Sequence, residues 1–146
     1  KFFRQTLDDR DSQLLPLSKE LDHIEQYLGI EQVRFGERLR IETKFDDASQ
    51  FVMVPAMLLQ PLVENSVKHG ISNTLKGGTI AISIFKEDDK LKFEIADTGI
   101  GIKDKTNLFD KGVGLTNTRI RLQKMYQSHM EILDNEPQGL KISFAL

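Results

Sequence analysis

Cysteine is absent from the 146 residues. That removes disulfide frameworks, thiolate metal sites and cysteine nucleophiles, and it fits a reducing, cytosolic setting. No apolar run approaches the roughly 20 residues a helix needs to cross a bilayer, and no secretory leader pattern is visible. An excess of basic charge is missing too: 20 Lys and Arg stand against 22 Asp and Glu, a net charge of −2. A general nucleic-acid binder shows the opposite balance, so no nucleic-acid partner is expected. Internal repeats and low-complexity tracts are also lacking. What is there suits one globular domain. Hydrophobic residues make up 39% and charged residues 29% of the chain, which argues against disorder and allows a core without covalent staples. The chain opens in mid-pattern at Lys1-Phe2-Phe3-Arg4 and reads as a piece of something longer.

Residues 1–13 are polar and aperiodic, as in a tail or linker, and residues 14–146 form the domain. Leu17, Leu21, Ile24, Leu28 and Phe35 recur at helical spacing, with Ser18 as the expected N-cap and Gly36 as the stop. Leu39 to Phe45 alternates like a strand. Pro55 is expected to open a second helix that runs to His69 and ends at Gly70. Thr79 to Phe85 and Leu91 to Asp97 alternate around the turn Glu87-Asp88-Asp89-Lys90. A long glycine-bearing loop covers Thr98 to Gly112, and a third helix runs from about Gly114 to Gln127. Two closing strands, Met130 to Asp134 and Leu140 to Leu146, flank a turn at Asn135 to Gly139. Three helices and five or six strands without regular βαβ alternation predict an α/β (α+β) two-layer sandwich, helices on one face of a mixed sheet.

Some residues break this pattern. Leu58, Leu62, Asn65 and His69 share one face of the expected second helix, so Asn65 sits where another Leu is due. A buried amide requires either protein partners or a polar ligand, because leaving it bare costs a few kcal/mol. Glu64 and Lys68 stand four apart in the order that favours a surface ion pair, and Lys68 equally suits a phosphate contact. Asp97 extends the apolar face Leu91, Phe93, Ile95 and is followed by Gly99 and Gly101. A carboxylate there requires a partner, although an Asp-Thr-Gly turn at a strand end is also ordinary. Gly112-Val113-Gly114-Leu115 stands at the mouth of the third helix, where open N–H groups favour anions, phosphate especially. Singly these features are weak. Together, in this order, they supply what a nucleotide–magnesium complex needs: an acceptor for an adenine amino group, an amide oxygen for a metal shell, and N–H groups for phosphates.

The stretch Leu59-Gln60-Pro61-Leu62-Val63-Glu64-Asn65-Ser66-Val67-Lys68-His69-Gly70 resembles the N box of sensor histidine kinases. Asp97-Thr98-Gly99-Ile100-Gly101 resembles their G1 box and Gly112-Val113-Gly114-Leu115 their G2 box, in the same order and spacing. The wording is similar to the LytS/YehU-like branch, as are Tyr27-Leu28, Arg34-Phe35 and Arg121-Leu122. The resemblance implies a Bergerat-type ATP-binding fold with ATP and Mg²⁺ as cofactors. It implies Asn65 on Mg²⁺, Asp97 on the adenine amino group, and Gly99 and Gly101 around the adenine. Gly112, Gly114 and Leu115 would lie by the phosphates, with Lys68 and His69 near them, and Ile100 to Val113 would be a lid. Glu64 is the one candidate for a catalytic role. The implied activity is transfer of the ATP γ-phosphoryl group to a histidine on an acceptor helical domain outside the chain. The implied partner is a response regulator of the LytTR type. The implied setting is the cytoplasmic part of an inner-membrane sensor, homodimeric when whole and monomeric as this piece. Two departures stand out. Pro61 occupies the place of a second Asn, or of the Glu that activates water in related ATPases, which argues against rapid hydrolysis. Leu140 follows Gly139 where the family often has Thr. His23, His69 and His129 sit in no acceptor motif of the branch. A gyrase- or chaperone-type ATPase clamp and a binding module without kinase activity are the alternative readings.

Overall fold

A computed structural model describes residues 13–101 and 113–146. Most of the expected tail and lid, Gly112 included, lies outside the described residues. In chain order the elements are β1 (Leu14–Pro16), α1 (Leu17–Phe35), β2 (Leu39–Phe45), β3 (Met53–Pro55), α2 (Gln60–Asn65), β4 (Gly78–Glu87), β5 (Lys90–Asp97), α3 (Val113–Tyr126), β6 (Glu131–Asp134) and β7 (Leu140–Ala145). Short 3₁₀ turns cover Gly36–Arg38, Asp47–Phe51 and Ile71–Asn73, and α2 continues as a π-helical turn over Ser66–Gly70.

Five strands make one mixed sheet in the order β2-β4-β5-β7-β6. Only β2 and β4 run parallel; the other neighbours are antiparallel. The β4–β5 hairpin closes through Asp88 and Asp89, both at positive φ, as a two-residue turn between twisted strands requires. Strand alternation directs Ile80, Ile82 and Ile84 of β4, and Leu91, Phe93 and Ile95 of β5, into the core. Phe93 stacks on Phe144 of β7 with ring centroids 4.9 Å apart. Against this face α1 buries Leu17, Leu21, Ile24, Leu28 and Phe35. Each such side chain contributes about 1.5–3 kcal/mol when fully buried. The helices-on-sheet architecture expected from the sequence is the one observed.

Three expectations are corrected. Ser18 does not cap α1. Pro16 holds the N-cap position without a side-chain bond, and the Leu17 N–H instead donates to the Val52 carbonyl at 2.8 Å. Seven strands are present among the described residues, because β1 and β3 pair antiparallel in a separate two-stranded ribbon. Each has three residues, too few to show a periodicity. Pro55 therefore ends β3 rather than opening a helix. The second helix begins at Gln60, with Pro61 in its first turn, where a missing N–H costs nothing.

Candidate functional site

The N-box segment is anchored before its helix starts. Glu20, fully buried on α1, accepts the Leu59 N–H at 2.9 Å and the Met57 N–H at 3.2 Å. From the other side Arg121 of α3 donates to the Ala56 carbonyl at 2.6 Å and to the Met57 carbonyl at 3.4 Å. Met57 itself is held at a φ of 59°, a left-handed conformation that costs a non-glycine residue about 1–2 kcal/mol. A carboxylate and a guanidinium thus hold one turn, through its N–H groups and its carbonyls respectively, and fix where α2 begins. Neither residue is among those singled out from the sequence for a role. Glu20 left a signal, since it lies three residues from Leu17 and four from Ile24 on an apolar face. Arg121 left none.

Along α2, Leu62 and Val63 are fully buried and Asn65 is 9% exposed. Among the described residues the Asn65 amide has no hydrogen-bond partner. A nearly buried amide without one is the arrangement expected of a group that awaits a ligand rather than one that ties the fold together. After Asn65 the switch to a π turn widens the helix and shifts its faces. Ser66, Val67 and Gly70 turn inward, while Lys68 and His69 are exposed. His69 therefore does not share the buried face of Leu62 and Asn65, contrary to the spacing argument, which assumed 3.6 residues per turn throughout. No Glu64–Lys68 ion pair forms among the described residues. Glu64 instead accepts from Gln60 at 3.2 Å and lies close enough to Tyr27 to help raise its pKa.

Asp97 ends β5 on the inner face and is 3% exposed. Its Oδ1 accepts the Gly99 N–H at 2.9 Å and the Leu140 N–H at 3.4 Å. Ser66, the neighbour of Asn65, adds a side-chain hydrogen bond to the same carboxylate. Burial pushes the Asp97 pKa above the usual carboxylate value of 3.8, and these three donors hold it back. The helix closes on the carboxylate at Gly70, where a Cβ would stand 2.9 Å from both Cγ and Oδ1 of Asp97. A Cβ on Gly99 would collide with the Gly70 backbone, so only glycine permits the strand end and the helix end to meet this closely. Gly101 lies beside the Gly139 carbonyl. The cradle is locked from below as well. Asn135 donates to the Asp97 carbonyl and Gln138 to the Gly99 carbonyl, each at 2.8 Å, and the Thr98 hydroxyl accepts the Thr79 N–H at 2.9 Å. These side chains sit in turns, where one polar residue looks like another in the sequence.

The Gly114 backbone belongs to the first turn of α3, which packs on α2, and Leu115 is 3% exposed in the core. Leu115 thus anchors this helix start. Two of the expected residues, Asp97 and Gly99, meet the helix at Ser66 and Gly70, and Asn65 is the residue before Ser66. Gly101 adjoins them, and Gly112 lies outside the described residues.

A five-stranded mixed sheet with helices over one face, with Asn65 on a helix and Asp97 at a strand end, marks the class of a Bergerat-type ATP-binding domain. The family described as "Histidine kinase-, DNA gyrase B-, and HSP90-like ATPase" matches residues 54–146, and the chain belongs to that family. A second family, described as "Histidine kinase", matches residues 1–39. Among relatives, the sensor histidine kinase BtsS of Escherichia coli K12 is 38% identical over 120 residues, covering 82% of this chain and 21% of BtsS. The sensor protein LytS of Oceanobacillus iheyensis is 37% identical over 159 residues, covering all of this chain and 27% of LytS. The chain thus spans about a quarter of the length of these relatives. The solved catalytic domain of the histidine kinase ThkA superposes with a TM-score of 0.69 at 16% identity, covering 92% of this chain and 93% of that one.

Proposed function

We propose that this chain is the ATP-binding catalytic unit of a two-component sensor histidine kinase, with the domain beginning near residue 14. It would direct the γ-phosphoryl group of ATP to a histidine imidazole on an acceptor helical domain outside these residues. The observation that carries the reading is a buried Asp97 carboxylate, fixed by Gly99, Leu140 and Ser66, together with an Asn65 amide, next to Ser66 in the chain, that has no hydrogen-bond partner among the described residues. Asp97 suits the exocyclic amino group of adenine. The amide oxygen of Asn65 suits a hard cation that keeps water and phosphate oxygens in its shell. Among the described residues no three His, Cys, Asp or Glu side chains cluster as metal ligands. A cation held by one amide and the phosphates themselves fits that donor set, and Mg²⁺ would supply neutralisation of phosphate charge.

The chain's own part is positioning, which dominates phosphoryl transfer. Gly99 and Gly101 would shape the adenine end. Gly112, Gly114, Lys68 and His69 would serve the phosphates, with Leu115 anchoring that helix start. Glu64, one residue before Asn65, is the carboxylate available to orient the acceptor imidazole. Pro61 cannot activate water, which supports transfer over hydrolysis. A response regulator, of the LytTR type on resemblance, would receive the phosphoryl group. A homodimeric inner-membrane sensor would carry this domain on its cytoplasmic side, with the isolated chain monomeric. Among the described residues no helix is long and apolar enough to cross a membrane. Calorimetry with a non-hydrolysable ATP analogue tests the reading. Asn65→Ala is expected to abolish the magnesium-dependent part of binding, and Asp97→Ala to abolish binding with or without magnesium. No binding by the wild type, or rapid phosphate release from ATP, would overturn it.

A further inference from the structure

On the side of the sheet where β2 forms the open edge, α1 and β2 enclose a cavity of about 410 Å³. That volume lies within the range of small-molecule sites. None of the nucleotide-site residues lines it. Its floor is apolar, built from Leu21, Leu28, Ile41 and Ile82. The charged groups lining it are Asp22 and Glu25, both acidic, exposed and, among the described residues, without an ion-pair partner. Between floor and rim lies Gly29, in the interior of a 19-residue helix, where a Cβ would meet nothing within 4 Å. Neither packing nor backbone conformation requires glycine there, and it costs the helix about 1 kcal/mol relative to alanine. Its effect is to keep the cavity wall clear.

We infer that this cavity is a second binding site, for a small amphipathic cation: an ammonium or guanidinium group between Asp22 and Glu25, with an apolar tail laid over Gly29 onto the Leu21–Ile41 floor. The proposal is independent of the nucleotide reading, and its test uses no nucleotide. The ¹⁵N-labelled chain is titrated with octylamine, and in parallel with octanoate, while amide resonances are followed by NMR. Octylamine is expected to give saturable shifts centred on Gly29, Gln32, Ile41 and Phe45, with octanoate binding at least about five-fold more weakly, since exposed ion pairs each contribute a few-fold. Gly29→Leu fills the cavity without straining the helix and is expected to abolish these shifts while the rest of the spectrum is preserved. The surface double variant Asp22→Asn/Glu25→Gln, which leaves the core untouched, is expected to bring octylamine down to the affinity of octanoate. Shifts that do not saturate, equal binding of octanoate, or octylamine binding unchanged in either variant would overturn the site.

Discussion

At the residue scale Asp97 concentrates the chemistry. Its pKa is raised chiefly by burial, so the stability it contributes is full below pH 3.8 and is lost as pH rises through the higher folded value. Burial makes the charged form of this carboxylate costly, a cost that a further N–H donor would offset. Asp97→Asn keeps an acceptor for Gly99 and Leu140 but places an amide N–H₂ in the cradle. The variant is expected to resist urea better than wild type at pH 7, yet to bind the ATP analogue about 10- to 100-fold more weakly, the equivalent of one charge-assisted hydrogen bond. Urea titration and calorimetry check the two halves. Tyr27 offers a separate titration. Burial first, then the charges of Glu31 and Glu64, push its phenol up to about 12, against a partial lowering by Arg34. The unfolded chain releases that proton near pH 10, so stability is expected to fall as pH rises from 10 to 12. Tyr27→Phe should flatten this slope in urea titrations across that window.

At the element scale the decisive feature is the grip on the Ala56–Leu59 turn. Glu20 and Arg121 reach it from α1 and α3, the helices on either side of the N box in the chain. Glu20→Gln leaves one buried N–H without an acceptor, so it is expected to cost about 1–3 kcal/mol in urea unfolding. Because Arg121 holds the same turn, a double-mutant cycle with Arg121→Ala should show coupling of about 0.5–3 kcal/mol rather than additivity. The meeting of β5 and the π turn is equally exacting. Gly99→Ala is expected to destabilise the domain by about 1–3 kcal/mol, because the methyl would displace the Gly70 backbone. Elements with a long period were legible beforehand: α1, the β4–β5 hairpin and the closing strands stand where alternation and spacing put them. The start of α2, the β1–β3 ribbon and the π turn were not. Each is set by a contact between segments distant in sequence, which no local window records.

At the scale of the whole molecule, one sheet carries two proposed sites at different places. The proposed nucleotide site lies where β5 and α2 meet, and the inferred cation site lies at the β2 edge. On the reading above, the purified chain is expected to bind the ATP analogue but to accumulate no acid-labile, base-stable phosphate from labelled ATP. Supplying the acceptor helical domain should restore labelling on that partner. Glu64→Gln should then slow transfer about 10²-fold or more, the usual worth of a positioned acid or base, with analogue affinity unchanged.

The run of residues alone determined the architecture and the family resemblance and singled out Asn65, Asp97 and the glycines as candidates, because a polar group in an apolar period, or a glycine at a helix mouth, shows without coordinates. Only the tertiary structure decided that Ser66, Gly70 and Leu140 build the Asp97 cradle, that Glu20 and Arg121 locate the helix before it, and that His69 faces outward. Those outcomes depend on packing and hydrogen bonds between segments up to 65 residues apart, and such distances leave no trace in a periodicity.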